Sequence, residues 1–324
     1  MGLRFGRMEA LVGEVERQGE QKGSWMERFG VFGDLPTRLM HGGLLVAPWF
    51  LEPFLVGLWT MLFFVIAGEQ RRAVQSNLAA LLPGTGRAGN FFRAYRVFLE
   101  FALTYVDAIR CDKAGGAVNW TIDGIEHFKD LASRREGCLI MTAHMGNYDL
   151  AAPLFSGEFG RTVHTVRAPE RNQQMQELRE KDLRNLEEEH AGFRVHYNRP
   201  DSMLAVELTR VLSEGDVVAV QADRVVFDVS PVEVEIGGGW VMRLPRGPLV
   251  LAQATGVPCF PLFITRDGWR CYRVTVMPEL RLPKRRRGKN DESLRVWADT
   301  LLGVVRDRWM EWFVFEPIFQ KKEG

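Results

Sequence analysis

A histidine and an aspartate stand five positions apart near the middle of the chain, directly after a short apolar stretch. The apolar run covers residues 138–143 and leads into the letters HMGNYD, which contain His144 and Asp149. A carboxylate bonded to one imidazole nitrogen fixes the tautomer of the ring and leaves the other nitrogen as a base. Such a base can take the proton from an attacking hydroxyl group, so this pair is typical of general-base catalysis.

The residues between these two predict how their side chains are placed. The apolar run has the character of a buried strand, which would carry His144 at its carboxyl end, where the clefts of α/β sheets open. Gly146 permits a tight turn and Asn147 is a natural N-cap, so Asp149 falls in the first turn of a helix. We expect this turn to bring Asp149 back to His144 and to place backbone N–H groups near Gly146 around an oxyanion. The simpler alternative is that His144 only satisfies the end of a strand.

A second histidine and carboxylate at the same spacing, His196 and Asp201, show that the spacing alone is a weak signal. Pro200 precedes this aspartate, and no glycine turn separates the pair. Asp201 is explained as the N-cap of a helix over residues 201–213. We therefore interpret the second pair as structural.

Two further polar residues follow predicted strands. Asp223 comes after the apolar run VVAVQ at residues 217–221, where a carboxylate is costly unless it is paired or used. A salt bridge with Arg224 is the structural alternative. Arg167 follows a predicted strand over residues 161–166, and an ion pair with Glu170 is its structural alternative.

Other classes of function find less support. The net charge is +1, so the chain has no global basic field and we expect no nucleic-acid partner. The four cysteines have neither CxxC spacing nor nearby histidines, so we assign no metal ligands. The letters GTGRAG at residues 84–89 match a dinucleotide fingerprint, but a helix precedes them, which indicates a helix–helix loop.

The arrangement of elements predicts three parts of the chain. Residues 1–43 form a polar amphipathic lead-in, residues 44–110 a helical, membrane-associating region, and residues 111–324 an α/β core with a C-terminal helix over residues 291–315. The apolar segment over residues 44–68 has the length of a bilayer span of about 20 residues. Glu52, Pro48 and Pro53 interrupt it, so a spanning or hairpin anchor and short helices lying in the interface both stay open.

The core is predicted to be α/β. Continuous apolar strands alternate with helices after residue 111, which favours a mostly parallel or mixed sheet flanked by helices. The apolar segment adds an N-terminal helical anchor to this fold.

The stretch MTAHMGNYDLA resembles the HxxxxD/E block of the glycerolipid and lysophospholipid acyltransferases, and more narrowly that of the bacterial lipid A late acyltransferase family. Similar blocks follow in the family's order over roughly residues 40–315. They are a helix at 71–83, the letters VRAP at 166–169, the run at 217–224, the segment 249–263 and a Trp-rich helix at 309–313. Tyr148 and Asp149 replace the family's common Trp-Glu, and QADR at 221–224 replaces its acidic cluster. These departures leave the acceptor open between a lipid A-like molecule and another membrane glycolipid or lysolipid.

The resemblance implies an O-acyltransferase that moves a fatty acyl group from a thioester of acyl carrier protein or coenzyme A to a hydroxyl group of a lipid or glycolipid. His144 would be the general base and Asp149 its orienting partner. Residues that would bind or position substrate are Arg167, Asp223, Arg224, Asn147 and Gly146. No cofactor is expected beyond the thioester co-substrate.

The same resemblance implies a location at the inner (cytoplasmic) membrane, with the site facing the cytoplasm, where acyl thioesters are made. Two other classes of function remain as alternatives. One is a metal-dependent hydrolase built on His144, Asp149 and Asp223, and the other is a non-catalytic lipid-binding protein on the same fold.

Overall fold

The computed structural model describes residues 50–113, 118–169, 173–199, 202–226, 231–283 and 292–322. Its helices are α1 (Glu52–Ile66), α2 (Gly68–Leu81), α3 (Arg87–Lys113), α4 (Ile125–Ser133), α5 (Tyr148–Ser156), α6 (Gln173–Glu189), α7 (Leu204–Ser213), α8 (Gly247–Thr255) and α9 (Glu292–Asp307). Its strands are β1 (Asn119–Asp123), β2 (Cys138–Thr142), β3 (Val163–Arg167), β4 (Phe193–Tyr197), β5 (Val217–Gln221), β6 (Pro231–Gly237), β7 (Trp240–Pro245), β8 (Cys259–Gly268), β9 (Cys271–Val276) and β10 (Phe319–Lys321). The predicted lead-in at 1–43 lies outside the described residues.

The main sheet has seven strands in the order β1-β9-β8-β2-β5-β3-β4. Strands β8, β2, β5, β3 and β4 run parallel to one another, whereas β9 is antiparallel to β8. The prediction of a mixed α/β sheet flanked by helices is therefore confirmed. A second, antiparallel sheet of three strands has the order β10-β7-β6.

The centre of the main sheet is buried on both faces, which explains the continuous apolar runs of β2 and β5. On one face the core includes Trp297 of α9, whose ring stacks on Phe263 of β8. On the other face Phe128 of α4 and Tyr272 of β9 pack against the same strands. The two layers fix the carboxyl ends of β2 and β5, and these ends hold the polar residues described below.

Helix α1 has an unusual distribution of side chains. Its buried stripe contains Glu52, Val56, Thr60 and Phe64, so two of the four residues that face the protein are polar. Its outward face is apolar, and Phe54, Leu58 and Val65 are among the residues more than half exposed there. Within the described residues, no one helix has the length and hydropathy of a membrane span, although α1 and α2 meet that test as a pair bent by 92°.

The C-terminal helix is shorter than predicted. The periodicity of the sequence extends the helix over residues 291–315, but α9 ends at Asp307 and a short 3-10 turn covers Trp309–Glu311. Trp312 then leaves the helical conformation, with φ −90° and ψ 103°. This break carries the residues after 311 onto the end of β2, which a continued helix would not reach.

His196 of the second histidine motif lies among other polar side chains, and its interpretation as structural stays a prediction. Asp201 lies outside the described residues. The ring of His196 instead contacts His164 Nδ1 at 2.8 Å and Glu207 at 3.4 Å, and His164 Nε2 lies 3.2 Å from Asp216. These side chains form a chain of polar contacts between β3, β4 and α7.

This chain predicts a loss of stability in mild acid. Burial lowers the pKa of His196 below its ordinary 6.5, against the opposing effect of Glu207. The unfolded chain therefore takes up this proton first, so the contribution of His196 to stability is present above pH 6.5 and declines as the pH falls below that value. We expect the free energy of unfolding, measured in urea, to fall between about pH 7.5 and pH 5.5. In His196→Gln this fall should be smaller, and an unchanged pH dependence in the variant would contradict the assignment.

Candidate active site

The register of the two central strands brings His144 and Asp223 together. Thr142 is paired with Gln221 at the carboxyl ends of β2 and β5, so the residues two positions later on each strand stand side by side. His144 Nδ1 lies 2.7 Å from Asp223 Oδ1, and the backbone N–H of His144 donates to Oδ2 at 3.0 Å. The carboxylate of Asp223 thus holds His144 at two points, through its ring and through its backbone.

Asp223 is completely buried and has a further donor. The indole Nε1–H of Trp312 donates to its Oδ2 at 2.9 Å. Burial by itself would raise the pKa of Asp223, but the neighbouring His144, its two hydrogen bonds and the Trp312 bond hold that pKa below its ordinary value. Asp223 is therefore ionised when it faces the imidazole ring.

The second ring nitrogen of His144 faces Arg224. Arg224 Nε lies 3.3 Å from His144 Nε2, and the same guanidinium contacts Glu316 at 3.0 Å. An arginine can only donate, so Nε2 is an acceptor and the ring proton is on Nδ1, towards Asp223. This tautomer is the one in which Nε2 can act as a base. The edge of Tyr148 closes one side of the ring, with the two centroids 5.6 Å apart.

Asp149 does not contact the imidazole ring, and the prediction that it orients His144 is wrong in its geometry. It lies in the first turn of α5, as predicted, but its carboxylate bonds Arg167 of β3 and lies 3.1 Å from Arg179 of α6. The ring nitrogen that it was expected to bond is already occupied by Asp223. Burial alone would raise the pKa of Asp149, and the two guanidinium groups more than offset this and lower it.

Arg179 is a site residue that the sequence did not identify. It belongs to a helix rich in charged residues, and no feature of its spacing distinguishes it from its neighbours. Arg167, Arg179 and Asp149 together form an ionic group that we call the arginine pair site.

Gly146 and Asn147 shape the loop that carries His144. Gly146 has φ +52°, as the predicted tight turn requires, and a Cβ atom there would collide with the carbonyl oxygen of Ile264. Asn147 is buried and its side-chain amide donates to the Thr104 carbonyl of α3 at 3.3 Å. The carbonyl of Asn147 accepts the first bond of α5, from Ala151. Both residues therefore hold the loop against β8 and α3.

An apolar pocket opens beside the site, between α5 and the face of the main sheet. Tyr148, Asp149 and Arg167 contribute its polar side. The apolar lining includes Phe128, Ile140, Ala151, Phe159, Ala219 and Ile264. An apolar space of this kind can bind an alkyl chain by removing it from water.

Within the described residues, no group of three or more His, Cys, Asp and Glu side chains is arranged to hold a metal ion. The three residues of the alternative metal site are also divided, since Asp149 is bonded to guanidinium groups while His144 and Asp223 are bonded to each other. The geometry thus provides a histidine–carboxylate pair beside an apolar pocket.

Comparison with known proteins gives a consistent result. The model of a protein family described as bacterial lipid A biosynthesis acyltransferase matches residues 44–321, which is most of the chain. The match includes both central strands, the loop of His144 and the segment around Trp312. A search of curated proteins found no match.

Proposed function

This chain belongs to the bacterial lipid A biosynthesis acyltransferase family, and we propose that it moves a fatty acyl group from an acyl thioester to a hydroxyl group of a membrane lipid or glycolipid. The observation that carries this proposal is the bonded His144–Asp223 pair, together with the apolar pocket that Tyr148, the ring neighbour of His144, helps to line. The thioester would be carried by acyl carrier protein or by coenzyme A, and both present the same reactive carbonyl.

In the proposed reaction His144 Nε2 takes the proton of the acceptor hydroxyl group as its oxygen attacks the thioester carbonyl. Asp223 stabilises the imidazolium ion that forms, because it is ionised and bonded to Nδ1–H. Collapse of the tetrahedral intermediate forms the ester and breaks the C–S bond, and the leaving thiolate takes the proton from Nε2. The transfer is direct, so no acyl-enzyme forms.

Arg224 occupies Nε2 in the structure, so the acceptor hydroxyl group replaces it at that nitrogen. The guanidinium remains tethered by Glu316 and can turn towards the negative charge that develops on the carbonyl oxygen. Backbone N–H groups at the start of α5 are the second source of oxyanion stabilisation, since the N-terminus of a helix favours negative charge.

The arginine pair site would position the acceptor. Arg167 and Arg179 share the carboxylate of Asp149, which leaves the group with a net positive charge. Asp149 and Arg167 line the same pocket as Tyr148, whose ring packs beside that of His144. An anionic or hydroxyl-rich part of the acceptor bound there would therefore lie within reach of His144. Asp149 thereby orders the two guanidinium groups and not the imidazole ring.

We further propose that α1 lies in the surface of the inner membrane, with the site facing the cytoplasm. Glu52 faces the protein and is completely buried, where it contacts Arg110 at 2.9 Å and Arg270 at 3.2 Å. The polar side of α1 is thus bonded to the core, while the apolar side is exposed. A helix on a water-exposed surface has its apolar side against the protein, and α1 has the opposite orientation. This orientation is typical of a helix that lies half-buried in one lipid leaflet.

Replacement of exposed apolar residues of α1 by acidic ones should therefore release the protein from lipid. Leu58→Glu/Val65→Glu removes two side chains that are 69% and 63% exposed and adds two charges. We expect binding to vesicles of mixed anionic and zwitterionic phospholipid, measured by co-flotation, to fall at least about ten-fold.

The matched control for the α1 variant is Met203→Glu/Val206→Glu. It changes two residues at the start of α7, the N-cap Met203 and Val206 in the first turn, which are 73% and 59% exposed, and it should leave vesicle binding unchanged. Equal loss of binding in the two double variants would show that exposed apolar residues act non-specifically and would remove α1 from the proposal.

The test of the proposed function is mass spectrometry of total lipids from cells that express the wild type or His144→Ala. A lipid heavier by one acyl group, present only with the wild type, would identify the acceptor and the chain length together. Release of free fatty acid without an acylated lipid would indicate thioester hydrolysis instead. Identical lipids in both samples would favour the non-catalytic lipid-binding alternative.

A further inference from the structure

The segment that follows α9 contacts both members of the histidine–carboxylate pair. We call residues 309–313 the clamp segment. Trp312 donates its indole N–H to Asp223 Oδ2 at 2.9 Å, and the backbone N–H of Phe313 donates to the His144 carbonyl at 2.8 Å. An isolated bridge between Met145 and Trp312 joins the same two stretches. We propose that Trp312 is a positioning residue for the pair, an inference that rests on the proposed acyl transfer.

The hydrogen bonds of Asp223 show what Trp312 contributes. Oδ2 accepts two bonds, from the backbone N–H of His144 and from the indole, while Oδ1 accepts the bond from His144 Nδ1. With Oδ2 fixed from two directions, the plane of the carboxylate is set and Oδ1 points at the ring. Without the indole donor, Oδ2 keeps a single bond and the carboxylate gains freedom to turn away from Nδ1.

The clamp segment is itself held by buried polar and charged side chains that do not contact the pair. Glu311 is buried and accepts a bond from the backbone N–H of Arg266 in β8. The side chain of Arg266 contacts Asp107 and Glu100 of α3, both at 3.2 Å. The position of Trp312 is therefore set by β8 and α3, independently of any substrate. This independence is what a group that pre-organises a catalytic carboxylate requires.

A role in packing has to be separated from a role in positioning. Trp312 is almost completely buried and its ring packs beside Phe319, with centroids 5.9 Å apart. The substitution Trp312→Phe keeps an aromatic ring and removes the N–H donor. A second buried tryptophan, Trp297, provides a matched control. Its indole N–H donates to the backbone carbonyl of Ala222, the residue before Asp223, at 2.8 Å. Trp297→Phe removes a bond of the same type that ends on backbone and not on the carboxylate.

Both variants should be compared with the wild type by steady-state kinetics across pH. Trp312→Phe should lower kcat on the order of ten-fold and leave KM within about two-fold, because it changes the pair and not the substrate contacts. The acidic limb of its kcat profile should move to lower pH, because a carboxylate that turns away from Nδ1 stabilises the imidazolium ion less. In Trp297→Phe the acidic limb should stay at the wild-type pH. An equal loss of kcat in both variants, with neither limb moved, would show that Trp312 contributes only to packing.

A second measurement does not depend on turnover and separates this inference from the proposed function. The proton NMR resonance of His144 Nδ1–H, identified by its loss in His144→Gln, should be sharp in the wild type and in Trp297→Phe. In Trp312→Phe it should broaden through exchange with water. An unchanged resonance in Trp312→Phe would overturn the inference even in an active enzyme, whereas broadening would support it even if the wild type shows no transferase activity.

Discussion

Replacing Asp223 with asparagine should lower the turnover number of acyl transfer on the order of 10³- to 10⁴-fold, nearly as much as replacing His144 with alanine. The asparagine keeps the size of the side chain, but its amide can present a donor to Nδ1. The ring would then carry its proton on Nε2, where a base is needed. The imidazolium ion would also lose the carboxylate charge that stabilises it.

The measurement is initial rates with a purified acyl thioester and a membrane lipid extract, on variants shown by circular dichroism to be folded. Asp149→Asn is the informative comparison, because its side chain contacts Arg167 and Arg179 and not the ring. We expect this variant to raise KM more than it lowers kcat. His196 contacts His164 and Glu207 and neither member of the catalytic pair, so His196→Ala should keep kcat near the wild-type value. A larger fall of kcat in Asp149→Asn than in Asp223→Asn would return the orienting role to Asp149.

The sequence pattern predicts His144 as the base, which stays a prediction, and it assigns the carboxylate partner to Asp149, whereas the structure pairs the ring with Asp223. The reason for this difference is the order of the strands. The ends of β2 and β5 are visible as apolar runs that stop before a polar residue. The sequence does not show that these two strands are neighbours in the sheet, or in which register they pair, because β3 and β4 lie between them along the chain. Asp223, which lies 79 positions from His144, therefore cannot be recognised as its partner from the sequence, whereas Asp149 lies only five positions away.

Two other differences have local causes. The three-stranded sheet was not predicted, although Val232, Val234 and Ile236 alternate with acidic residues in β6 and carry a clear period of two. Glu52 was interpreted as an interruption of an apolar helix. The structure places it on the buried side, paired with two arginines, and hydropathy along a sequence does not show which face of a helix packs on the protein.

The clamp segment illustrates a limit of periodicity. Its aromatic residues continue the apolar spacing of α9, so the sequence favours one long helix. The chain leaves the helix because the indole of Trp312 and the backbone of Phe313 find acceptors at the ends of β5 and β2. Such tertiary bonds override a local helical preference and are not encoded in the spacing.

The second large effect is expected at Gly146, where alanine should both destabilise the fold and abolish transfer. The residue has φ +52°, a conformation that side chains rarely adopt, and its Cα faces the Ile264 carbonyl so closely that a Cβ has no room. Backbone strain and the displacement of β8 should together cost about 2–4 kcal/mol in the free energy of unfolding. Any folded fraction would have His144 displaced from Asp223.

Gly256 provides the matched control for this prediction. It has φ +71° at the end of α8, and no atom lies within 4 Å of the position that a Cβ would take. Gly256→Ala should therefore lower the free energy of unfolding only by the cost of the left-handed conformation, about 1 kcal/mol, and should keep normal transfer activity. Urea unfolding and initial rates on the two variants separate the contributions. If both alanines cost the same stability and both variants stay active, the close approach of the His144 loop to β8 has no role in holding the base in place.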